Sequence, residues 1–280
     1  MTDLVSTDWL AGQLDAPDIC IVDATRHHFE PERDSAAEYA EGHIPGAVFL
    51  DLLTLVDPDA ETDNTLPTVA QFEQRMRQLG IDNSQRIVIY DDSVVKTAMR
   101  AWFMFRLFGL EQVFVLDGGL ARWKAEGRPL ESGEVSRPAS TFVASIDPSR
   151  VYAKGDVLAN IETRERLHLD GRGSQHFTGE DDDPTPGIAP GHVPGSINVP
   201  FWDLFSDDGL MKPEDELRVL FAEHGVDTAR PAVVSCGGGV VACALALALR
   251  KVGNDQVALY DGSWTEWGAD PALPKALGPN

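Results

Sequence analysis

The sequence predicts an α/β protein of two tandem domains, each a parallel sheet with helices on both faces. Three blocks recur in the same order along the chain: Gly42–Ala47 as Gly191–Ser196, Arg86–Asp91 as Ala232–Cys236, and Asp117–Trp123 as Asp261–Trp267. The first block repeats at an offset of 149 residues and the third at 144. Such a nearly constant offset indicates a duplicated domain of about 145 residues. The alternation of strand and helix patterns in each half indicates parallel sheets.

Each half alternates short, apolar, β-branched segments, typical of buried parallel strands, with segments of helical periodicity. In the first half we predict strands over 19–23, 86–90 and 113–116, and helices over 68–79 and 97–108. In the second half we predict strands over 168–170, 232–235 and 256–259, and helices over 213–224 and 240–252. A polar stretch over 131–140 marks the strongest boundary. We therefore predict domains over 1–130 and 146–280, joined by a linker over 131–145.

The composition excludes several classes of partner. The 280 residues include 23 Lys and Arg against 45 Asp and Glu, which gives a net charge of −22. A nucleic-acid or anionic-lipid surface needs the opposite sign of charge. The chain starts without a secretory signal, and no apolar run reaches the roughly 18 residues of a membrane span. Three cysteines without zinc-type spacing fit a reducing compartment. We therefore expect a cytoplasmic protein with no nucleic-acid or membrane partner and no metal.

Cys236 has the sequence context of a nucleophile. It ends a predicted strand, three glycines follow, and a helix begins directly after them. Sites in parallel sheets lie beyond the carboxyl ends of strands. Consecutive glycines let successive N–H groups surround an anion, and the helix N-terminus adds partial positive charge. We therefore predict a lowered pKa for Cys236 and a nucleophilic thiolate. The alternative is a small buried apolar residue, which is the interpretation we prefer for Cys20 and Cys243.

These motifs together resemble those of tandem-domain rhodaneses, a family of sulfurtransferases. The resemblance rests on the repeated Gly-His-x-Pro-Gly segments, the Asp-Gly-Gly/Ser-x-x-x-Trp segments and the cysteine loop, and it extends from about residue 23 to residue 274. The loop Cys236–Val241 is similar to the neutral loop of mercaptopyruvate-type members and differs from the basic loop of thiosulfate-type members. The resemblance implies a catalytic C-terminal domain and a non-catalytic N-terminal domain. Asp91 stands where the N-terminal nucleophile would be, and a carboxylate cannot carry sulfane sulfur.

The resemblance also implies a reaction. Sulfane sulfur would pass from 3-mercaptopyruvate to a thiophilic acceptor (cyanide, a thiol or thioredoxin) through a persulfide on Cys236, without a metal or organic cofactor. Arg172 would clamp the substrate carboxylate, which suits a planar guanidinium; the alternative is a surface salt bridge. The remaining substrate-binding residues would be those of the loop: Gly237, Gly238, Gly239, Val240 and Val241.

Two residues of the first half match family positions that support catalysis, namely His43 and Asp34. The relay they would serve is incomplete, because Gly238 and Val241 stand where the family has serine and threonine. The alternative is that Gly-His-x-Pro-Gly is a structural turn in which the histidine satisfies local backbone groups. The recurrence of His43 as His192 in the other half favours this structural interpretation.

Three other functions stay open at this point. Thiosulfate is the nearest alternative donor, although a dianion would favour a basic loop. A cysteine phosphatase shares the fold but needs an arginine six residues after the cysteine, where this chain has Ala242. A non-enzymatic sulfur carrier is consistent with the missing loop serine and with the absence of the further substrate arginines that the family has between Arg172 and Gly191, where this chain has His176 and the run from Glu180 to Thr185.

Overall fold

The computed structural model describes residues 3–183 and 185–279. The chain divides into two units. The first comprises the residues up to Asp57 together with Leu66–Asp147, and the second comprises Pro58–Thr65 together with the residues from Pro148 onward. The segment 131–145, which we predicted as a linker, packs on the first unit. Phe142 makes an edge contact with Phe72, and its carbonyl accepts hydrogen bonds from Arg77.

The first unit is a parallel sheet of five strands in the order β1-β5-β4-β2-β3. Its strands are β1 (Leu4–Val5), β2 (Ile19–Asp23), β3 (Val48–Phe49), β4 (Arg86–Tyr90) and β5 (Val113–Leu116). Its helices are α1 (Thr7–Ala11), α2 (Ser35–Glu41), α3 (Val69–Gln78), α4 (Thr97–Leu107) and α5 (Gly119–Ala125).

The second unit repeats this topology in the order β6-β10-β9-β7-β8, again with parallel pairs only. Its strands are β6 (Val151–Tyr152), β7 (Leu167–Asp170), β8 (Ile197–Asn198), β9 (Ala232–Ser235) and β10 (Val257–Tyr260). Its helices are α6 (Lys154–Thr163), α7 (Ser174–Thr178), α8 (Glu214–Glu223), α9 (Ala242–Lys251) and α10 (Ser263–Ala269), with 3₁₀ turns at Pro148–Arg150 and Phe201–Leu204. The identical strand order confirms the predicted fold class and the duplication.

Most predicted elements are found within one or two residues of their predicted ends. Strands β2, β4, β5 and β9 have the predicted bounds, and α3 and α8 are each shorter by one residue at either end, where the predicted end residues are their caps. The sequence did not indicate β1, β3, β6 and β8, because each has only two residues and is defined by its pairing partner.

Helix α9 is buried in the core of the second unit. Eight consecutive residues, Ala242–Leu249, are buried, so this helix is apolar on all sides and lies within the core. On the sheet, Val233 and Tyr260 pack with Trp264 and Trp267 in one buried cluster.

Within the described ranges, no helix is long and apolar enough to cross a membrane.

Candidate active site

Cys236 lies at the carboxyl end of β9, which is the central strand of the second sheet. Its N–H group donates to Ser263 Oγ at 3.1 Å, and its carbonyl accepts from the N–H of Trp264 at 3.0 Å. Both partners belong to the repeated Asp261–Trp267 block. That block therefore fixes the backbone from which the cysteine side chain projects.

The glycine loop after Cys236 is held by the same block. The carbonyl of Gly237 accepts from the N–H of Thr265 at 2.9 Å and from its hydroxyl at 2.8 Å. Gly239 has a φ of +75°, and a Cβ there would lie 2.6 Å from the carbonyl oxygen of Asp261. Only glycine combines this left-handed conformation with so close a neighbour. The loop is thus a fixed turn, as the three glycines predicted.

The thiol of Cys236 is surrounded by hydrogen-bond donors but removed from water. The N–H groups of Ala242, Gly239 and Gly238 donate to it, which favours the thiolate. Burial acts in the opposite direction and is the larger effect, so the pKa of Cys236 is raised above its ordinary value. The Asp170 carboxylate raises it further. Our prediction of a lowered pKa is therefore wrong for the free thiol, because it counted the donors and left out the burial.

Arg172 follows β7 and forms a buried ion pair. Its Nε donates to Asp170 Oδ1 at 3.1 Å, and its Nη2 donates to Asp170 Oδ2 at 2.7 Å and to the carbonyl of Gly191 at 2.8 Å. The guanidinium carbon lies 4.4 Å from the centre of a Trp264 ring. The side chain therefore has internal partners at Nε and Nη2, and within the described part of the chain the two N–H groups of Nη1 are not used by these contacts. The salt-bridge alternative describes its present partners, although the pair is buried and not at the surface.

His43 and Asp34 have structural roles in the first unit. His43 is fully buried, its Nδ1 lies 2.8 Å from the carbonyl oxygen of Tyr39, and the two rings stack at 4.1 Å. Asp34 caps α2 by accepting from two backbone N–H groups. His192 repeats the first arrangement with Phe177, at 2.8 Å to its carbonyl and 3.8 Å between ring centres. These contacts agree with the structural interpretation of the Gly-His-x-Pro-Gly turn in both halves.

Asp91 occupies the place of Cys236 in the first unit. It directly follows β4, and its carbonyl accepts from Leu120 as that of Cys236 accepts from Trp264. Its carboxylate accepts from Ser93 and, at 2.8 Å, from the N–H of Thr97. Burial raises its pKa. The first unit thus keeps the geometry of the loop end without a sulfur nucleophile.

Comparison with known proteins agrees with this duplicated architecture. The family model of the Rhodanese-like domain matches residues 6–126 and 153–270. The chain belongs to the rhodanese family. It is 40% identical over 274 residues to the 3-mercaptopyruvate sulfurtransferase of Escherichia coli K12, covering 98% of this chain and 97% of that protein.

Two further relatives extend the comparison. The mitochondrial thiosulfate/3-mercaptopyruvate sulfurtransferase 1 of Arabidopsis thaliana is 38% identical, over 97% of this chain and 77% of its own length. The crystal structure of the 3-mercaptopyruvate sulfotransferase SseA from E. coli superposes with a TM-score of 0.87 and 38% identity, over 94% of this chain and 99% of that one.

The structure of this rhodanese brings to the cysteine loop one residue that the sequence did not indicate. Asn64 lies in the segment that groups with the second unit. It has a left-handed φ of 63°, and its Nδ2 lies 3.3 Å from the position that a Cβ on Gly238 would take. The sequence carries one relevant signal: Gly238 has no side chain of its own and so leaves room for a neighbouring one.

A buried histidine contacts the residue that precedes the cysteine. His168 Nε2 is 2.7 Å from the hydroxyl of Ser235, the residue before Cys236. Burial lowers the pKa of His168 to about 4, so its ring is neutral at pH 7. The sequence carries a signal for this residue, because a histidine inside an otherwise apolar strand is unusual. Among the described residues, no group of three or more His, Cys, Asp or Glu could hold a metal ion.

Proposed function

We propose that this rhodanese transfers sulfane sulfur from 3-mercaptopyruvate to a thiophilic acceptor through a persulfide on Cys236. One observation carries the proposal: a cysteine at the carboxyl end of the central strand has three backbone N–H donors on its sulfur. That arrangement stabilises negative charge on sulfur both before and after transfer. The nearly full-length likeness to sulfurtransferases supports the same reaction.

In the first half-reaction the Cys236 thiolate attacks the sulfur of 3-mercaptopyruvate. An S–S bond forms and the C–S bond of the donor breaks, with its electron pair moving into the pyruvate skeleton. The adjacent ketone accepts that pair as an enolate, which takes a proton and leaves as pyruvate. The enzyme keeps the sulfur as a Cys236 persulfide, held by the N–H groups of Gly238, Gly239 and Ala242.

In the second half-reaction the acceptor attacks the outer sulfur of the persulfide. Cyanide would leave as thiocyanate, and a thiol would leave as its own persulfide, while the electron pair of the S–S bond returns to Cys236 as thiolate. No further oxidant or reductant is needed. For the cell we propose a small thiol or thioredoxin as acceptor, in the cytoplasm.

Asp170 and Arg172 determine the electrostatic surroundings of the cysteine. Asp170 raises the pKa of Cys236, and Arg172 offsets this charge because it is paired with Asp170 at 2.7 Å. We propose this electrostatic role for Arg172 ahead of the direct clamp that the resemblance implies. The donor carboxylate would then bind to the loop N–H groups that do not hold the sulfur, those of Gly237, Val240 and Val241, and to the amide of Asn64. His43 and Asp34 have no part in this mechanism.

Thiosulfate is the alternative donor. The loop Gly237–Val241 contains no charged residue, and a dianion would gain more than a monoanion from a basic loop. We therefore expect kcat/KM for 3-mercaptopyruvate to exceed that for thiosulfate. The reverse order would reassign the donor and leave the persulfide mechanism intact.

The test measures pyruvate and thiocyanate released from 3-mercaptopyruvate and cyanide. Equal amounts of the two products are expected from the wild-type enzyme, and intact-mass analysis without cyanide should detect one added sulfur atom. Cys236→Ser should abolish both signals, while Cys20→Ala, a matched change of a buried cysteine in β2, should keep them. Full turnover by Cys236→Ser would refute the proposal. A persulfide without repeated turnover would identify a sulfur carrier instead.

A further inference from the structure

The second unit has a cavity at the end of its sheet opposite to Cys236. The cavity volume is about 190 Å³, and its lining includes Arg164, Arg166, Arg230 and His168. Arg166 directly precedes β7, and Arg230 lies two residues before β9. The cavity is therefore at the amino ends of these strands, whereas Cys236 follows the carboxyl end of β9. Its lining contains no Asp or Glu.

The three arginines of this cavity differ from others of the same unit in their partners. Arg218 pairs with Glu214 on α8, and Arg172 pairs with Asp170. Arg166 donates to neutral groups only, the hydroxyl of Tyr152 and the carbonyls of Ala232 and Gln256, and Arg230 donates to the carbonyl of Arg164. Over residues 3–183 and 185–279, none of the three forms an ion pair with a carboxylate. The lining of this cavity therefore carries a concentrated positive charge, although the net charge of the chain is −22.

The backbone around the cavity is fixed before any ligand binds. Asn160 is buried, and its amide group makes two hydrogen bonds to the backbone of Arg166, at 2.9 and 3.0 Å. Arg164 ends α6 in a left-handed conformation with a φ of 52°, which is uncommon for a residue with a side chain. Arg230 joins this turn through the carbonyl of Arg164, at 2.7 Å. These three hydrogen bonds fix the backbone at Arg164 and Arg166 and the guanidinium of Arg230 around one space.

We propose that this cavity is a binding site for a small oxyanion of the size of phosphate or sulfate. A guanidinium presents parallel N–H donors that match two oxygens of such an anion. Pockets for larger organic ligands have volumes of about 300–1,000 Å³, so this cavity admits the anion and excludes a nucleoside. The site is separate from the sulfur-transfer site, and the proposed reaction does not require it.

The test is calorimetric titration of the full-length protein with inorganic phosphate, at an ionic strength kept constant with sodium chloride. Wild-type protein should bind phosphate saturably at one site. The double variant Arg164→Gln, Arg230→Gln should bind at least about tenfold more weakly, because two charge-assisted interactions are lost. Arg218→Gln, a matched change in the same unit but outside the cavity, should bind as the wild type does.

Two results would overturn the proposal: no saturable phosphate binding by the wild type, or equal binding by the double variant. A third arm uses ADP, and tighter binding of ADP with the same loss in the double variant would overturn the assignment to a free small anion. Circular dichroism and pyruvate release verify that the double variant is folded. If it is not, Arg164→Gln alone carries the test, since this exposed side chain makes no hydrogen bond within the described part of the chain.

Discussion

The Nη2 atom of Arg172 and the Oδ2 atom of Asp170 lie 2.7 Å apart, in a pair whose side chains are only 7% and 3% exposed. Each charge has lost most of its water and depends on the other. Because Asp170 also acts on the Cys236 thiol, this pair links the stability of the second unit to the reactivity of its cysteine.

Because of this pairing, we expect removal of Arg172 to reduce the stability of the protein more than its affinity for the donor. We expect Arg172→Ala to lower the free energy of unfolding by about 3–5 kcal/mol, because it leaves a buried carboxylate without a partner. Asp170→Leu combined with Arg172→Met should recover much of this loss. Arg218→Ala, which removes an exposed pair on α8 and one hydrogen bond to the carbonyl of Val252, should cost only about 1 kcal/mol. A rise in KM for 3-mercaptopyruvate without loss of stability would instead identify Arg172 as the carboxylate clamp.

Gly238 and Asn64 should be energetically coupled. A side chain at position 238 would place its Cβ 3.3 Å from Asn64 Nδ2, so Gly238→Ser should lower kcat/KM in the wild-type background and less so in Asn64→Ala. We expect a coupling energy of about 1 kcal/mol from the double-mutant cycle of kcat/KM values. Additive effects of the two changes would contradict the contact.

Gly239→Ala should inactivate the enzyme. The residue has a φ of +75°, and the added Cβ would lie 2.6 Å from a backbone oxygen of Asp261, so the loop must move away from the Cys236 sulfur. We expect a fall in kcat for pyruvate release of at least about 100-fold, the typical effect of losing an oxyanion donor. Gly237→Ala is the matched control, because a Cβ there would have no atom within 4 Å. Comparable losses from both variants would argue against this steric cause.

Alkylation of Cys236 should become faster with increasing pH well into the alkaline range. Burial raises the pKa of its thiol, so the free enzyme holds little thiolate at pH 7, and the iodoacetamide rate should still rise above pH ~8.5, the ordinary thiol value. By linkage, the folded state binds the Cys236 proton more tightly than the unfolded state. The free energy of unfolding should therefore fall as pH rises above about 8.5, because the unfolded thiol loses its proton there while the folded one keeps it. Cys236→Ser provides the background rate. A plateau reached below pH 8 would indicate a lowered pKa.

The sequence predicted the strands and helices that are long enough to show a hydrophobic pattern of their own. The strands Arg86–Tyr90 and Ala232–Ser235 are apolar runs between turn residues, and their predicted bounds are correct. The strands Val48–Phe49 and Ile197–Asn198 are too short for any periodicity, and only the neighbouring strand makes them part of a sheet. Pairing partners come from the tertiary fold, which a local pattern does not contain.

The same distinction applies to the site. Cys236 and its glycines are consecutive in sequence, so the loop could be predicted from the chain alone, whereas the burial that raises the pKa of the thiol depends on the fold. The position of Asn64 beside Gly238 depends on the folding of a turn that lies far away in sequence. The Asp-x-Arg spacing of Asp170 and Arg172 leaves open whether the guanidinium turns outward or back onto the carboxylate, and burial of both groups decides this.

The two copies also share a helix-capping position. In the first unit the Asp91 carboxylate accepts from the N–H of Thr97, and in the second the Cys236 thiol accepts from the N–H of Ala242, each six residues further along the chain. Carboxylates are good capping groups. An exchange between cysteine and aspartate at this position would therefore change the chemistry of the side chain while preserving the start of the helix.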